Sequence, residues 1–160
     1  MALIKNGEIV EDAWVEVAAD ASIPATGDVI VGFDRLRQQS ADLFARTGKV
    51  GVRLGVEDSV EDVGPFVDQL ALVAVDFPRY VDGRGYSAAR IIRERFGFQG
   101  ELRAVGNVLY DQLYFMQRCG FDAFELEAGK DATGALAAFT EISVKYQAAA
   151  DQPLPLYRRR

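Results

Sequence analysis

The stretch "LRAVGNVLYDQLYFMQRCGFDAFEL", residues 102–126, reads as one strand, a tight turn, a helix and a second strand. Residues 102–105 form a short apolar run interrupted by one arginine, and Gly106-Asn107 marks the turn. Asn107 is placed to cap a helix over 108–119, Gly120 to stop it, and 123–126 returns as a strand. A strand that returns after a helix must lie parallel to the first, so this unit predicts a βα fold.

The same alternation extends upstream. Strand candidates at 29–32, 50–54 and 70–77 precede those at 102–105 and 123–126, and each is followed by a helical pattern. The helix candidates span 33–46, 59–69, 86–96, 108–119 and 132–149. Pro65 shortens the second to a late start, and the last carries Leu136, Phe139, Ile142 and Tyr146 on one stripe. Before these repeats, strands at 2–5 and 13–17 joined across "NGEIVED" predict an N-terminal β-hairpin, with Asn6-Gly7 as a turn pair.

The expectation is one α/β domain over 1–150, with the hairpin in 1–20 and about five βα repeats in 28–149 around a mainly parallel sheet. Residues 151–160 form an extended tail, either docked or frayed, that ends in three arginines. Five repeats are too few for an eight-stranded barrel of about 250 residues, which leaves an open sheet or an incomplete TIM-like barrel. Arg53 and Arg103 sit inside strand candidates and lean toward the barrel, because a sheet covered by helices on both faces offers a guanidinium few partners.

Composition narrows the chemistry. The 160 residues contain no histidine and one cysteine, Cys119. Ser-His-Asp and Cys-His catalysis, histidine-ligated metals and a self-contained four-cysteine cluster are therefore excluded. Cys119 reads as a buried, inert thiol, and Trp14, Phe66 and Phe139 as core. Asp76, Asp82, Asp111 and Asp122 are candidates for an all-carboxylate magnesium site, but acids at such spacing are ordinary on surfaces, and no metal is expected. The N-terminus alternates apolar with polar residues rather than opening with basic charge and an apolar core, so a cytoplasmic protein with no membrane span is expected. A net charge of −6 argues against nucleic acid.

Charge is uneven along the chain: net −8 over 1–78, +3 over 79–103 and −1 over 104–160. The basic block holds "VDGRGYSAARIIRER", residues 81–95, at the end of a strand candidate and the start of a helix. Ligands bind at that end of parallel α/β sheets. Gly83 and Gly85 allow a sharp turn, and Arg84, Gly85, Tyr86, Ser87 and Arg90 are the candidate contacts to an oxyanion. Arg53, Arg103 and Asn107 are candidate further contacts, with Asp82 or Asp111 as a base. The spacing matches neither GxGxxG nor the P-loop, so no nucleotide cofactor is read from it and the cofactor stays unknown. The ordinary alternative is a glycine turn in which Arg90 pairs with Glu94 and Arg93 is solvated.

The run from Phe77 to Leu126, with "DGRGYS", "GELRAVG" and "RCGFDAF" in that order, resembles the DUF934 family of bacterial proteins. Members are commonly encoded beside assimilatory sulfite reductase and are described as oxidoreductases of sulfite reduction. The resemblance thus implies a role in sulfur assimilation, and the basic turn read above adds a small anionic metabolite as the expected ligand. It also implies an alternative, a non-catalytic accessory protein that docks on sulfite reductase or a neighbouring enzyme through the basic block. Many relatives carry aspartate at the position of Asn107, and whether the chain is an enzyme or a homodimer stays open.

Overall fold

The computed structural model describes residues 1–79 and 81–159. Eight strands form one sheet in the order β2-β1-β8-β7-β6-β5-β4-β3. Strands β3 (Val15–Val17), β4 (Val29–Gly32), β5 (Val50–Leu54), β6 (Leu72–Phe77), β7 (Glu101–Gly106) and β8 (Ala123–Leu126) are parallel and adjacent in chain order. Right-handed crossovers that never reverse direction put every helix on the same face.

The sheet is curled into a half-barrel, and one short connection shows why. Strands β1 (Ala2–Lys5) and β2 (Glu8–Val10) extend the sheet antiparallel beyond β8, so β2 and β3 lie at opposite edges. Only residues 11–14 join them, a reach of at most about 18 Å between Val10 and Val15. A flat sheet would separate these edges by roughly 34 Å.

The N-terminal hairpin is present, but its second strand is 8–10 rather than 13–17. Asn6 (φ 52°) and Gly7 (φ 80°) form a two-residue turn with left-handed backbone at both positions, which pairs Lys5 directly with Glu8. Val15–Val17 pairs instead with β4 at the far edge.

Side chains alternate between the two faces. The outer face, under the helices, carries Val31, Val52, Val73, Phe77, Leu102 and Phe124 in one continuous apolar core. It packs against α1 (Phe33–Ala45), a 3₁₀ helix (Val60–Gln69), α2 (Arg84–Arg90), α3 (Tyr110–Cys119) and α4 (Ala132–Ala137). The inner face has a small apolar set, Ile30, Leu72, Ala74 and Val105 under Trp14; the rest of it carries the charged residues together with glycine, alanine and Leu3.

One row across the inner face explains how arginines fit within a sheet. Register places Gly32, Arg53, Ala74, Arg103, Ala123 and Lys5 side by side on six successive strands. Both arginines are flanked by glycine or alanine, which leaves room for their long side chains, and Lys5 has Ala123 on one side. Arg103, 1% exposed, gives Nε to Glu101 at 2.7 Å and its two terminal nitrogens to Asp12 at 2.6 and 3.1 Å. Lys5 adds a 2.7 Å bond to Glu101, and Arg53 pairs with Glu16 and Asp76, each at 2.9 Å. The polar interior expected from Arg53 and Arg103 is therefore present.

Other boundaries differ from the sequence pattern. Pro65 lies inside the 3₁₀ helix, which starts at Val60 and not late. Asn107 does not cap α3; Leu109 holds that position, while Gly120 (φ 111°) ends the helix as expected. The final helix stops at Ala137. The β-branched Thr140, Ile142 and Val144 disfavour its continuation. Phe139 still packs on Phe124, at 5.0 Å between ring centres, but Ile142 and Tyr146 are exposed.

The segment after α4 docks on α3 instead. Arg118 donates to the Gln147 carbonyl and pairs with Asp151. The tail contains a 3₁₀ turn at Leu156–Arg158; Arg160 of the terminal arginine run lies outside the described residues. Among the described residues, no helix is long and apolar enough to cross a membrane.

Candidate functional site

The C-terminal ends of β5 and β6 open onto a cavity of about 220 Å³ between the 3₁₀ helix and α2. After Leu54 the chain turns sharply because Asp58 Oδ2 accepts the Gly55 N–H at 2.7 Å, which closes one wall. The opposite wall is α2, brought close by Gly85: a Cβ there would lie 2.5 Å from the Phe77 ring. Close approach of helix to strand therefore depends on that glycine.

Arg84 stands at the rim of the cavity. Asp82 Oδ1 accepts the Arg84 backbone N–H and Nε, both at 3.1 Å, and Oδ2 accepts Nη2 at 2.8 Å. This grip orients the guanidinium, and Arg84 in return holds the Asp82 carboxyl below the usual aspartate range. Among the described residues the remaining nitrogen, Nη1, meets only Glu57, at 3.0 Å, and that carboxylate is 85% exposed. Hydrogen bonding to Asp82 and then Glu57 raises the Arg84 pKa further above its ordinary value.

The sequence-derived site residues separate into several places. Arg84, Gly85 and Ser87 share the rim cavity, with Asp82 behind Arg84. Tyr86 is turned away, with its ring 5.2 Å from both Phe77 and Phe115, and burial raises its pKa. Arg90 is exposed and pairs with Glu94 one turn on, at 2.5 Å, outside the cavity. Asp111 is exposed in the first turn of α3.

Arg53 and Asn107 meet elsewhere, on the inner face. A second cavity of about 410 Å³ at the mouth of the half-barrel is lined by Arg53, Asn107, Glu16, Glu125 and Glu127. Gly106 (φ 88°) turns the chain there, and Asn107 N–H donates to the Phe77 carbonyl at 2.7 Å. Burial raises the Glu125 pKa, opposed by the charges of Arg103 and Arg53. Sequence reasoning missed Glu16, Glu125 and Glu127. For Glu16 and Glu125 a signal existed, since an acid inside a strand marks a polar interior as an arginine does. Arg103 lies below this mouth with its nitrogens engaged by Glu101 and Asp12.

Arg93, further along the basic block, is structural. Arg93 is not solvated: it donates to the carbonyls of Gly120, Phe98 and Gly100, each at 2.8 Å, and pairs with Asp122 at 3.0 Å. It clips the π-helical turn that continues α2, Ile91–Arg95, to the start of β7 and β8. A cavity of about 220 Å³ beside this clip lies at the N-terminal ends of the strands, away from the ligand-binding end of such sheets. Arg95 pairs with Glu61 at 2.6 Å.

Three of the four aspartates considered for magnesium are engaged separately, and the fourth, Asp111, is the exposed residue of α3 noted above. Asp76 faces Arg53, Asp82 faces Arg84, and Asp122 accepts the Leu102 N–H and pairs with Arg93. Among the described residues, no group of three or more carboxylate or cysteine side chains is arranged to hold a metal. Cys119 is buried, and burial pushes its thiol pKa up, which disfavours the thiolate.

No curated protein and no solved structure matches the chain. A family model described as a bacterial protein of unknown function, DUF934, matches residues 51–157, a span that runs from the second residue of β5 through β8 and takes in the whole rim cavity. By this match over two thirds of its length, the chain belongs to the DUF934 family.

Proposed function

We propose that this protein binds a small metabolite through an anionic group at the rim cavity and serves sulfite reduction in sulfur assimilation. The ligand's anion replaces Glu57 at Arg84 Nη1. The observation that carries this reading is the asymmetry of the Arg84 contacts. Asp82 accepts the Arg84 backbone N–H and fixes the guanidinium from behind at Nε and Nη2, while among the described residues only an exposed carboxylate covers the nitrogen on the open side. Exchange of one oxyanion for another at that nitrogen keeps the charge-assisted bond and costs little reorganisation. Ser87 supplies a further hydroxyl on the same cavity. Asp82 acts as a positioning residue here, since its carboxylate is committed to Arg84.

The test is thermal stabilisation by a panel of sulfite, sulfate, phosphate and organic anions. At least one saturably raises the Tm of the wild type and leaves Arg84→Gln unmoved, and Glu57→Gln strengthens the effect. A panel in which none shifts the wild type overturns the reading.

Docking on a larger enzyme of the same process is a second reading, favoured by one observation. Ile142, Val144, Tyr146, Leu154 and Tyr157 are exposed on the irregular segment after α4. Such a concentration of surface apolar groups suits a protein contact. Association through this strip survives salt and is lost in Val144→Asp; association that salt disrupts would contradict it.

A further inference from the structure

We infer that the rim cavity takes an organic monoanion, a carboxylate or sulfonate on an apolar body, in preference to a bare inorganic oxyanion. This rests on the reading above that Arg84 meets an anion.

Size is the first ground. A cavity of about 220 Å³ has the liquid volume of roughly seven waters, at about 30 Å³ each. Sulfite, sulfate or phosphate at Arg84 would fill only a fraction of it and leave the remainder as water against hydrocarbon.

The wall is the second ground. Leu54, Val56, Val60, Val75, Ala88 and Ile91 line the interior, and their side chains donate no hydrogen bond to an oxyanion. An oxyanion pushed inward loses hydration without replacement, whereas an alkyl or aryl body gains by displacing water.

Charge placement is the third ground. The acids in the cavity, Asp58 and Asp76, accept from Gly55 N–H at 2.7 Å and Arg53 at 2.9 Å. Asp82 already offsets Arg84. The site therefore offers one guanidinium nitrogen to one anionic head at the rim, and no positive charge in excess of its own acids, so a second negative charge on the ligand is disfavoured. A sulfonate or carboxylate fits this balance better than a phosphate monoester, which approaches two negative charges at neutral pH.

The experiment titrates the full-length protein with sulfate, phosphate, linear alkanesulfonates and alkanecarboxylates of one to eight carbons, hexyl phosphate and 1-hexanol. Wild type, Arg84→Gln and Ala88→Leu are compared by calorimetry. Wild-type affinity is expected to rise about three- to fourfold per methylene until the body fills the cavity. Arg84→Gln, an exposed position, weakens the sulfonates and carboxylates about tenfold or more. Ala88→Leu, which reduces the cavity, moves the plateau to shorter chains and leaves methanesulfonate unaffected.

Sulfate binding as tightly as hexanesulfonate, still dependent on Arg84, overturns this inference and leaves the anion reading standing. A flat chain-length series does the same. Hexyl phosphate binding more tightly than hexanesulfonate overturns the single-charge preference. Hexanol binding as well as hexanesulfonate, with no response to Arg84→Gln, overturns the anion reading itself. Failure of every compound to bind overturns both.

Discussion

Arg103 on the inner face of the half-barrel and Arg84 on its rim are the same residue type in opposite situations. Arg103 is buried, with Glu101 and Asp12 around its fork and alanines on both neighbouring strands. Arg84 is held on one side by Asp82 and meets a single exposed carboxylate on the other. A charge whose partners all belong to the fold stabilises the fold. A charge whose outer partner is an exposed carboxylate is the one the proposed function gives to a ligand. The number of arginines in a stretch therefore says less about function than how many of their nitrogens the protein itself has already satisfied.

The largest expected effect breaks that comparison at the interior. Arg103→Ala leaves Glu101, 7% exposed, without its buried partner and releases Asp12, so urea denaturation should show a loss of about 3–5 kcal/mol. A loss below about 1 kcal/mol would mean that the row of cations is dispensable. Next comes the wall between the regions: Gly85→Ala forces a Cβ against the Phe77 ring and should cost about 1–3 kcal/mol.

The pH dependence of stability separates charges that the interior favours from those it strains. Burial pushes the Asp12 carboxyl up, but the hydrogen bonds from Arg103 and Trp14 outweigh this and set it below its ordinary value of 3.8. Its contribution is therefore present above that value and lost as pH falls through the lower, folded-state pKa. Glu125 and Asp122 are raised by burial, so their contributions are complete below the ordinary values of 4.5 and 3.8 and decline as pH rises through the folded-state values. Asp12→Asn should flatten the acid limb of a stability profile, and Glu125→Gln should reduce the decline on its higher-pH side. The reverse pattern would contradict the assignment.

The smallest expected effects are at the rim. Arg84→Gln and Arg90→Ala should each leave the urea midpoint nearly unchanged, because both arginines are exposed and solvent screens their pairs with Asp82, Glu57 and Glu94. The two variants then differ in one respect: Arg84→Gln loses ligand and Arg90→Ala keeps it.

Much of the fold is readable along the chain, for reasons that also mark the limits. Strands 29–32, 50–54 and 123–126 coincide with Val29–Gly32, Val50–Leu54 and Ala123–Leu126 because turn residues or clear helical patterns bound each apolar run. Arg53 and Arg103 inside such runs pointed to a curved sheet with a polar interior. The partner of β1 was not readable, since Glu8–Val10 has only three residues and Val15–Val17 reaches β4 through the curl of the sheet.

The site was partly readable. "DGRGYS" identified Asp82, Arg84, Gly85 and Ser87, which are local to one turn. Helical phase turned Tyr86 and Arg90 away from the cavity, and strand register put Arg53 and Asn107 in another one. Glu57 and Asp58 come from a separate turn after β5, so no local pattern connected them to Arg84. Arg93 satisfies carbonyls of Phe98, Gly100 and Gly120, groups whose positions depend on where the sheet ends.

In the proposed site, Arg84 Nη1 is where a ligand's anion displaces Glu57. A crystal structure with hexanesulfonate tests it most directly. The account predicts the sulfonate at Nη1 in place of Glu57, its alkyl chain against Leu54, Val75 and Ile91, and Asp82 unmoved. Glu57 retained on Arg84 at saturating ligand, with the sulfonate bound at the inner-face mouth beside Arg53, would contradict it.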